Sequence, residues 1–298
     1  MSEDPVDALP PLRDVIARYE LGARRALGQH FLLDYNLTDR IARAAGDLSI
    51  GSTIEIGPGP GGLTRSLLRA GAGAVFAIER DPRATAALAD LVVASRGRLR
   101  VIDADALSVD LRDLCPAPRR IVANLPYNIS TPLLIRWLRQ ADAFESMTLM
   151  FQKEVVDRMV AEPRTKAYGR LSVMCQHFAT VRPLFDIGPS AFVPPPKVIS
   201  TVVQLIPRQV ADPVPFAALE AVAAAAFGQR RKMLRGSLKA AFADPLPVLA
   251  ALDIPETARA EELPVATFVA LARIRTSQNP TVYQGVVQEN TTAPEADL

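Results

Sequence analysis

Thr53-Ile-Glu-Ile56 is a short apolar strand that runs straight into Gly57-Pro-Gly-Pro-Gly-Gly62, after which Leu63 to Ala70 reads as a helix ending at Gly71. No other stretch limits the fold as much, because strand, glycine turn and helix form the first half of a dinucleotide-type βαβ unit. The alternation then continues. Ala74–Ile78 is a second strand ending at Glu79, followed by a helix with Pro82 in its first turn, and Leu99–Ile102 is a third strand leading into Asp103-Ala-Asp105. Ile121–Ala123 reads as a fourth strand before a helix over about Pro132–Gln140, and Met147–Phe151 as a fifth before a charged helix over Lys153–Val160. Leu171–Val181 and Val198–Ile206 are predicted to be closing strands. The expectation is an α/β fold with a mostly parallel, Rossmann-like sheet of about seven strands and helices on both faces.

With 298 residues the chain can hold about two domains. Composition shifts near Pro207–Pro215, and short helices follow, so the α/β domain is expected over 23–207 and a small helical domain over 208–275. Residues 1–22 form an N-terminal extension, loose over 1–11, and the polar stretch 276–298 is expected to fray. Hydrophobic residues make up 49% and charged residues 22%, which excludes a disordered chain. Cys115 and Cys175 are far apart and in no CxxC, so neither a disulfide framework nor a zinc site is expected, and no metal at all. No run of about eighteen apolar residues occurs, and the expected setting is the cytoplasm. The net charge of +2 says little about nucleic acid by itself.

Gly57, Gly59 and Gly62 have the G-x-G-x-x-G spacing, but Pro58 and Pro60 remove two N–H groups that a pyrophosphate would use. A ligand without phosphates, such as S-adenosylmethionine, suits this turn better. Glu79 can then accept from ribose hydroxyls, and Asp105 from an adenine amino group. Asn124-Leu-Pro-Tyr127 ends the fourth strand with an amide acceptor, a rigid proline and an aromatic ring. The Asn124 side-chain oxygen and the Leu125 carbonyl can hold the hydrogens of an exocyclic amine, with Tyr127 stacked on its ring. The alternative for this stretch is an ordinary strand-end turn. In the proline-stiffened Ser190–Val198 loop, Phe192 is either an exposed second plate for a flipped base or a buried staple. The run Gln229–Lys239 carries Arg230, Arg231, Lys232, Arg235 and Lys239, with Arg231 and Arg235 expected on one helix face. With Arg24, Arg25, Arg164, Lys166 and Arg170 it forms either solvated surface or a phosphate-binding face.

Seven stretches together resemble the rRNA adenine N6,N6-dimethyltransferases: Leu27-Gly-Gln-His-Phe-Leu-Leu33, Glu55-Ile-Gly-Pro-Gly-Pro-Gly-Gly-Leu-Thr64, Asn124-Leu-Pro-Tyr-Asn-Ile-Ser-Thr-Pro132, Gln152-Lys-Glu-Val-Val156, Ala167-Tyr-Gly-Arg-Leu-Ser172, Phe192-Val-Pro-Pro-Pro-Lys-Val198 and Phe227-Gly-Gln-Arg-Arg-Lys232. The resemblance covers about residues 20–275 and is stronger to the housekeeping, KsgA-type branch than to the resistance methylases of large-subunit rRNA. It implies a class I methyltransferase domain with a helical rRNA-binding domain. It also implies S-adenosylmethionine as methyl donor and dimethylation of two adjacent adenosines near the 3′ end of small-subunit rRNA, on an assembling subunit, by a monomer. By position it assigns the cofactor to His30, Leu32, Gly57, Glu79, Asp105 and Asn124. The family usually has Asn where this chain has His30. The alternatives are a resistance-type methylase of large-subunit rRNA and an RNA-binding assembly factor in which catalysis is secondary.

Overall fold

The computed structural model describes residues 4–22, 30–209, 213–280 and 282–283. The chain divides into two units, Met1–Val156 with Ala179–Arg208, and Asp157–Phe178 with Gln209–Leu298.

The first unit is built on seven strands: β1 Ser52–Ile56, β2 Ala74–Glu79, β3 Leu99–Asp103, β4 Arg119–Asn124, β5 Ser146–Gln152, β6 Ala179–Ile187 and β7 Ser200–Pro207. Their order is β3-β2-β1-β4-β5-β7-β6. The first five are mutually parallel, and β7 runs antiparallel to both β5 and β6. All of β1 and nearly all of β5 are buried, so their polar residues, Glu55 and Thr148 among them, lie inside the fold rather than on an alternating exposed face. Aspartates start two of the surrounding helices. Asp34 accepts from the Asn36 N–H at 2.8 Å ahead of Tyr35–Ala44, and Asp81 from the Arg83 N–H at 3.1 Å ahead of Pro82–Ala87. A separate two-residue ribbon pairs Phe31 with Val193 and Leu32 with Phe192.

The second unit is helical. Its longer members are Arg170–Phe178, Phe216–Gly228 and Val265–Gln278. Phe227 stacks on Phe268 at 5.4 Å, Phe178 stacks on Phe216 at 5.0 Å, and the Tyr168 hydroxyl donates to the Leu263 carbonyl at 2.9 Å.

Several expectations change. Leu171–Val181 is not a strand: helix Arg170–Phe178 precedes β6, and residues 157–178 group with the helical unit rather than with the sheet. Residues 171–175 are all buried, so this helix shows no amphipathic period, and a short apolar run cannot be told from a strand by pattern. The helix expected from Pro132 begins at Tyr127, with Pro132 inside it. The tail does not fray at 276, since its helix continues to Gln278 and Arg275 donates to the Tyr283 hydroxyl at 2.8 Å. Nor are residues 4–11 loose: Val6 is buried, and the helix Leu12–Arg18 that follows buries Leu12 and Val15. Asp7 pairs with Arg69 at 3.6 Å, and Arg65 donates to the Pro10 carbonyl at 2.8 Å.

The Leu12 Cδ1 lies 3.1 Å from where a Cβ on Gly62 would sit, so this segment braces the start of the helix that follows the glycine turn. Leu12→Ala is expected to lower unfolding stability by about 2–4 kcal/mol, as for a core leucine. A change below about 0.5 kcal/mol in urea unfolding would mark a dispensable extension instead.

Candidate active site

Strand β1 has parallel partners on both sides, β2 and β4, and the chain crosses from one side to the other after β3. Ligands bind at the carboxyl ends of strands at such a switch point. A cleft opens there, running from Asp105 past the glycine turn to Asn124 and Tyr127. All six residues expected to hold the cofactor, His30, Leu32, Gly57, Glu79, Asp105 and Asn124, line it.

In the half next to the glycine turn, Gly57 and Gly59 have φ of +66° and +55°, and a Cβ on Gly59 would come within 2.8 Å of the Phe31 ring. Only glycine fits this crossing. Glu79 fastens the turn to β2: its Oε1 accepts from the Arg80 and Asp81 N–H groups at 2.9 and 2.8 Å, and its Oε2 from the Gly59 N–H at 3.2 Å. A carboxylate has about four acceptor positions, and three backbone N–H groups already use part of that capacity. The Asp105 carboxylate meets Arg80 at 2.9 Å and accepts from the Leu107 N–H at 2.9 Å. Glu55 also lines the cleft. Burial first of all, and the nearby Glu79 charge, push its carboxyl up to about 8, with the Thr64 hydroxyl opposing. Its Oε2 has no hydrogen-bond partner among the described residues. An unpartnered acid, a partly satisfied carboxylate and a turn poor in N–H groups fit a ligand that brings a cation and hydroxyls rather than phosphates. S-adenosylmethionine is such a ligand.

In the other half, the Asn124 Nδ2 donates to the His30 carbonyl at 3.1 Å. A carbonyl only accepts, so the amide orientation is fixed and Asn124 Oδ1 is left without a partner among the described residues. The Leu125 carbonyl is likewise unpaired among them. Tyr127, the first residue of helix Tyr127–Leu138, shares a 2.6 Å hydrogen bond with Ser200, and burial raises its phenol pKa. The His30 ring is tilted against it at 5.4 Å, with Nδ1 donating to the Pro194 carbonyl at 2.8 Å.

Phe192 does not stand out as a second plate. It is 2% exposed, packs with Leu32, Ile187 and Val202 in the core, and is not among the residues lining the cleft. Its pairing with Leu32 across the two-residue ribbon turns it inward, so it is the staple of the two readings. The basic run also divides. Residues 229–233 form a turn and the helix starts at Leu234, so Arg231 and Arg235 do not share a helix face. Arg230 is bound to the Lys166 and Tyr168 carbonyls at 3.0 and 3.1 Å, and Arg235 lies 3.8 Å from Glu256. Arg231 and Lys232 are exposed and have no such partner among the described residues. Arg170 pairs with Glu220 at 2.7 Å and Arg164 with Glu262 at 4.0 Å, while Arg24 and Arg25 lie outside the described residues. Sequence reasoning gave no role to Glu55, Arg80 or Ser200. For Glu55 the signal was there, as a lone acid between two isoleucines in a core strand.

The sequence model for ribosomal RNA adenine dimethylases matches residues 21–276. Ribosomal RNA small subunit methyltransferase A of Rhodospirillum rubrum is 60% identical over 273 residues, covering 91% of this chain and 94% of that protein. The protein of that name from Paramagnetospirillum magneticum is 63% identical over 266 residues, covering 89% and 94%. Among solved structures, a dimethyladenosine transferase from Plasmodium falciparum is similar with a TM-score of 0.73 and 27% identity, over 84% of this chain and 98% of that one. The 23S rRNA methyltransferase ErmE is similar with a TM-score of 0.62 and 25% identity, over 83% and 100%.

Glu55 yields a pH test. Its folded pKa of about 8 stands above the ordinary 4.5, so the folded chain keeps a proton that the unfolded chain has lost, and stability falls as pH rises through that window. Glu55→Gln is therefore expected to gain stability over wild type progressively between about pH 4.5 and 8, while weakening donor binding. Melting temperatures across pH check this. A wild-type-minus-variant difference that does not change with pH would mean that Glu55 is ionised in the fold.

Proposed function

We propose that this chain, which belongs to the ribosomal RNA adenine dimethylase family, dimethylates N6 of two adjacent adenosines in the 3′-terminal hairpin of small-subunit rRNA, as a monomer acting in the cytoplasm on the assembling subunit. It is an S-adenosylmethionine-dependent methyltransferase acting on rRNA. The observation that carries the reading is the unpaired Asn124 Oδ1, held in place by the His30 carbonyl, in the same cleft as Glu55, Glu79 and Asp105. The high identity to small-subunit methyltransferases favours that rRNA over the large-subunit target named for ErmE.

When bound, S-adenosylmethionine supplies a methyl group on a sulfonium sulfur, which leaves as a neutral thioether. Adenine N6 is a weak nucleophile because its lone pair is delocalised into the ring. Asn124 Oδ1 and the Leu125 carbonyl accept its two hydrogens and favour a pyramidal nitrogen with the lone pair directed out of the ring. No strong base is needed beforehand, since the N6 proton becomes acidic only once the nitrogen carries the methyl. A neutral amide also avoids the cost of desolvating a carboxylate in the cleft. Tyr127 holds the ring by its face. Glu79 would hold the donor through its ribose hydroxyls and Asp105 through its adenine amino group, with Glu55 lining the same cleft. In the helical unit, Arg231 and Lys232, like Lys166 and Lys239, are exposed basic side chains without a side-chain partner among the described residues and are free to meet phosphates, whereas Arg230 braces its own unit.

Asn124→Ala is expected to slow methyl transfer to small subunits by about 10²–10³-fold, the scale for losing one such polar contact to the reacting group, with rRNA affinity nearly unchanged. Labelled donor offered to small subunits, large-subunit rRNA and duplex DNA tests the substrate directly, and label absent from small subunits would overturn the reading. Reversing Arg231 and Lys232 to Glu is expected to weaken subunit binding and to flatten its dependence on log salt by about 1–2. An unchanged slope would make them ordinary solvated surface. Arg230→Glu should instead lower the melting temperature.

A further inference from the structure

Dimethylation places unequal demands on the site. In the first transfer N6 carries two hydrogens, and both Asn124 Oδ1 and the Leu125 carbonyl can be satisfied. In the second, one hydrogen has been replaced by a methyl, so only one of those bonds can form. The base is then held mainly by the face of an aromatic ring, and any looseness in that ring falls on the second transfer.

The ring available is Tyr127, and its freedom is limited at one atom. Its hydroxyl lies 2.6 Å from the Ser200 Oγ. Ser200 is wholly buried, the first residue of β7, and is paired in register with Gln152 at the end of β5 and with Ile187 at the end of β6. No other side-chain partner of the Ser200 hydroxyl occurs among the described residues. A buried hydroxyl with a single partner is strongly directional, because turning away leaves it unsatisfied. It also sits on the antiparallel part of the sheet, whose position is fixed by ladder bonds on both sides. At the other end of the residue, the Tyr127 backbone starts its helix and its carbonyl accepts from the Ser130 hydroxyl at 3.0 Å. The ring is thus fixed at both ends, and the His30 ring packs against it.

We infer that Ser200 is a positioning residue for dimethylation: its hydroxyl holds the Tyr127 ring in the orientation that the second methyl transfer to each adenosine requires. The inference rests on the stacking role proposed for Tyr127. Ser200 touches neither base nor donor in this scheme and acts only through Tyr127. It explains a placement that stability alone does not require, since an alanine would fill a strand position of this kind without needing a partner.

The test uses the full chain with S-adenosylmethionine and unmethylated small subunits, and follows N6-monomethyl- and N6,N6-dimethyladenosine over time by mass spectrometry of nucleosides. Ser200→Ala is expected to slow the second transfer about tenfold more than the first, so that monomethyladenosine accumulates. Ser200→Thr, which keeps the hydroxyl, is expected to restore the wild-type ratio. In a Tyr127→Phe background, Ser200→Ala should change the ratio no further. A less stable or partly unfolded variant would slow both transfers alike, so the ratio separates positioning from a general structural effect. An unchanged ratio in Ser200→Ala, or a changed one that Ser200→Thr does not restore, would overturn the inference. Tyr127→Ala tells the two ideas apart. If it slows transfer while Ser200→Ala leaves the ratio alone, only the tether is wrong. If it leaves both transfers at the wild-type rate, stacking by Tyr127 is wrong as well.

Discussion

Strand β1 is hydrogen-bonded on both sides by parallel neighbours, and everything at the site follows from that. The carboxyl ends of β3, β2, β1 and β4 stand side by side along one edge. Neighbouring strands are about 4.8 Å apart, so four of them set a row of about 14 Å. Asp105, Glu79, the glycine turn and Asn124 follow the ends of successive strands in that row, and the sheet rather than any loop fixes their spacing. The row is long enough for an extended ligand over β3, β2 and β1 and for a flat ring beyond β4. The register also places Glu79 directly beside Asp103, so a carboxylate beyond β2 and another just past β3 stay on one side of the turn.

Most of this was legible in the sequence, for identifiable reasons. Strands such as β4 and β5 announce themselves because both of their faces are covered, which leaves short apolar stretches, Ile121–Ala123 and Leu149–Phe151, ended by a polar residue. The turn residues 57–62 and Asn124 stood at the ends of such runs, and the six cofactor positions all fell in one cleft. What failed was whatever depends on partners distant in sequence. Leu171–Phe178 looked like a strand because full burial erased its helical period. Phe192 looked free to be a plate because nothing local shows that the ribbon with Leu32 turns it inward. Arg230 looked like a phosphate ligand because its neighbours are basic, yet its guanidinium is taken by carbonyls more than sixty residues away. The N-terminal residues looked loose because nothing local shows that they cover the surface around Leu63 and Leu67, about fifty residues further along the chain.

The polar groups of the cleft share one further property: much of their hydrogen-bonding capacity is used by the protein before any ligand arrives. Three backbone N–H groups hold Glu79, and the His30 carbonyl holds Asn124. Such bonds lock a side chain in one rotamer, so little of its conformational entropy is lost when a ligand binds. They also decide which atoms remain available. Asn124 can present only an acceptor, because its donor is occupied. A ring with a carbonyl at that position, as in hypoxanthine or guanine, would set two acceptors against each other, and a ring bearing an amine would not. In the proposed reaction, discrimination for adenine at N6 would come from an interaction that does not touch the base, the bond to a backbone carbonyl ninety-four residues earlier in the chain. Replacing His30 by another residue leaves that carbonyl in place.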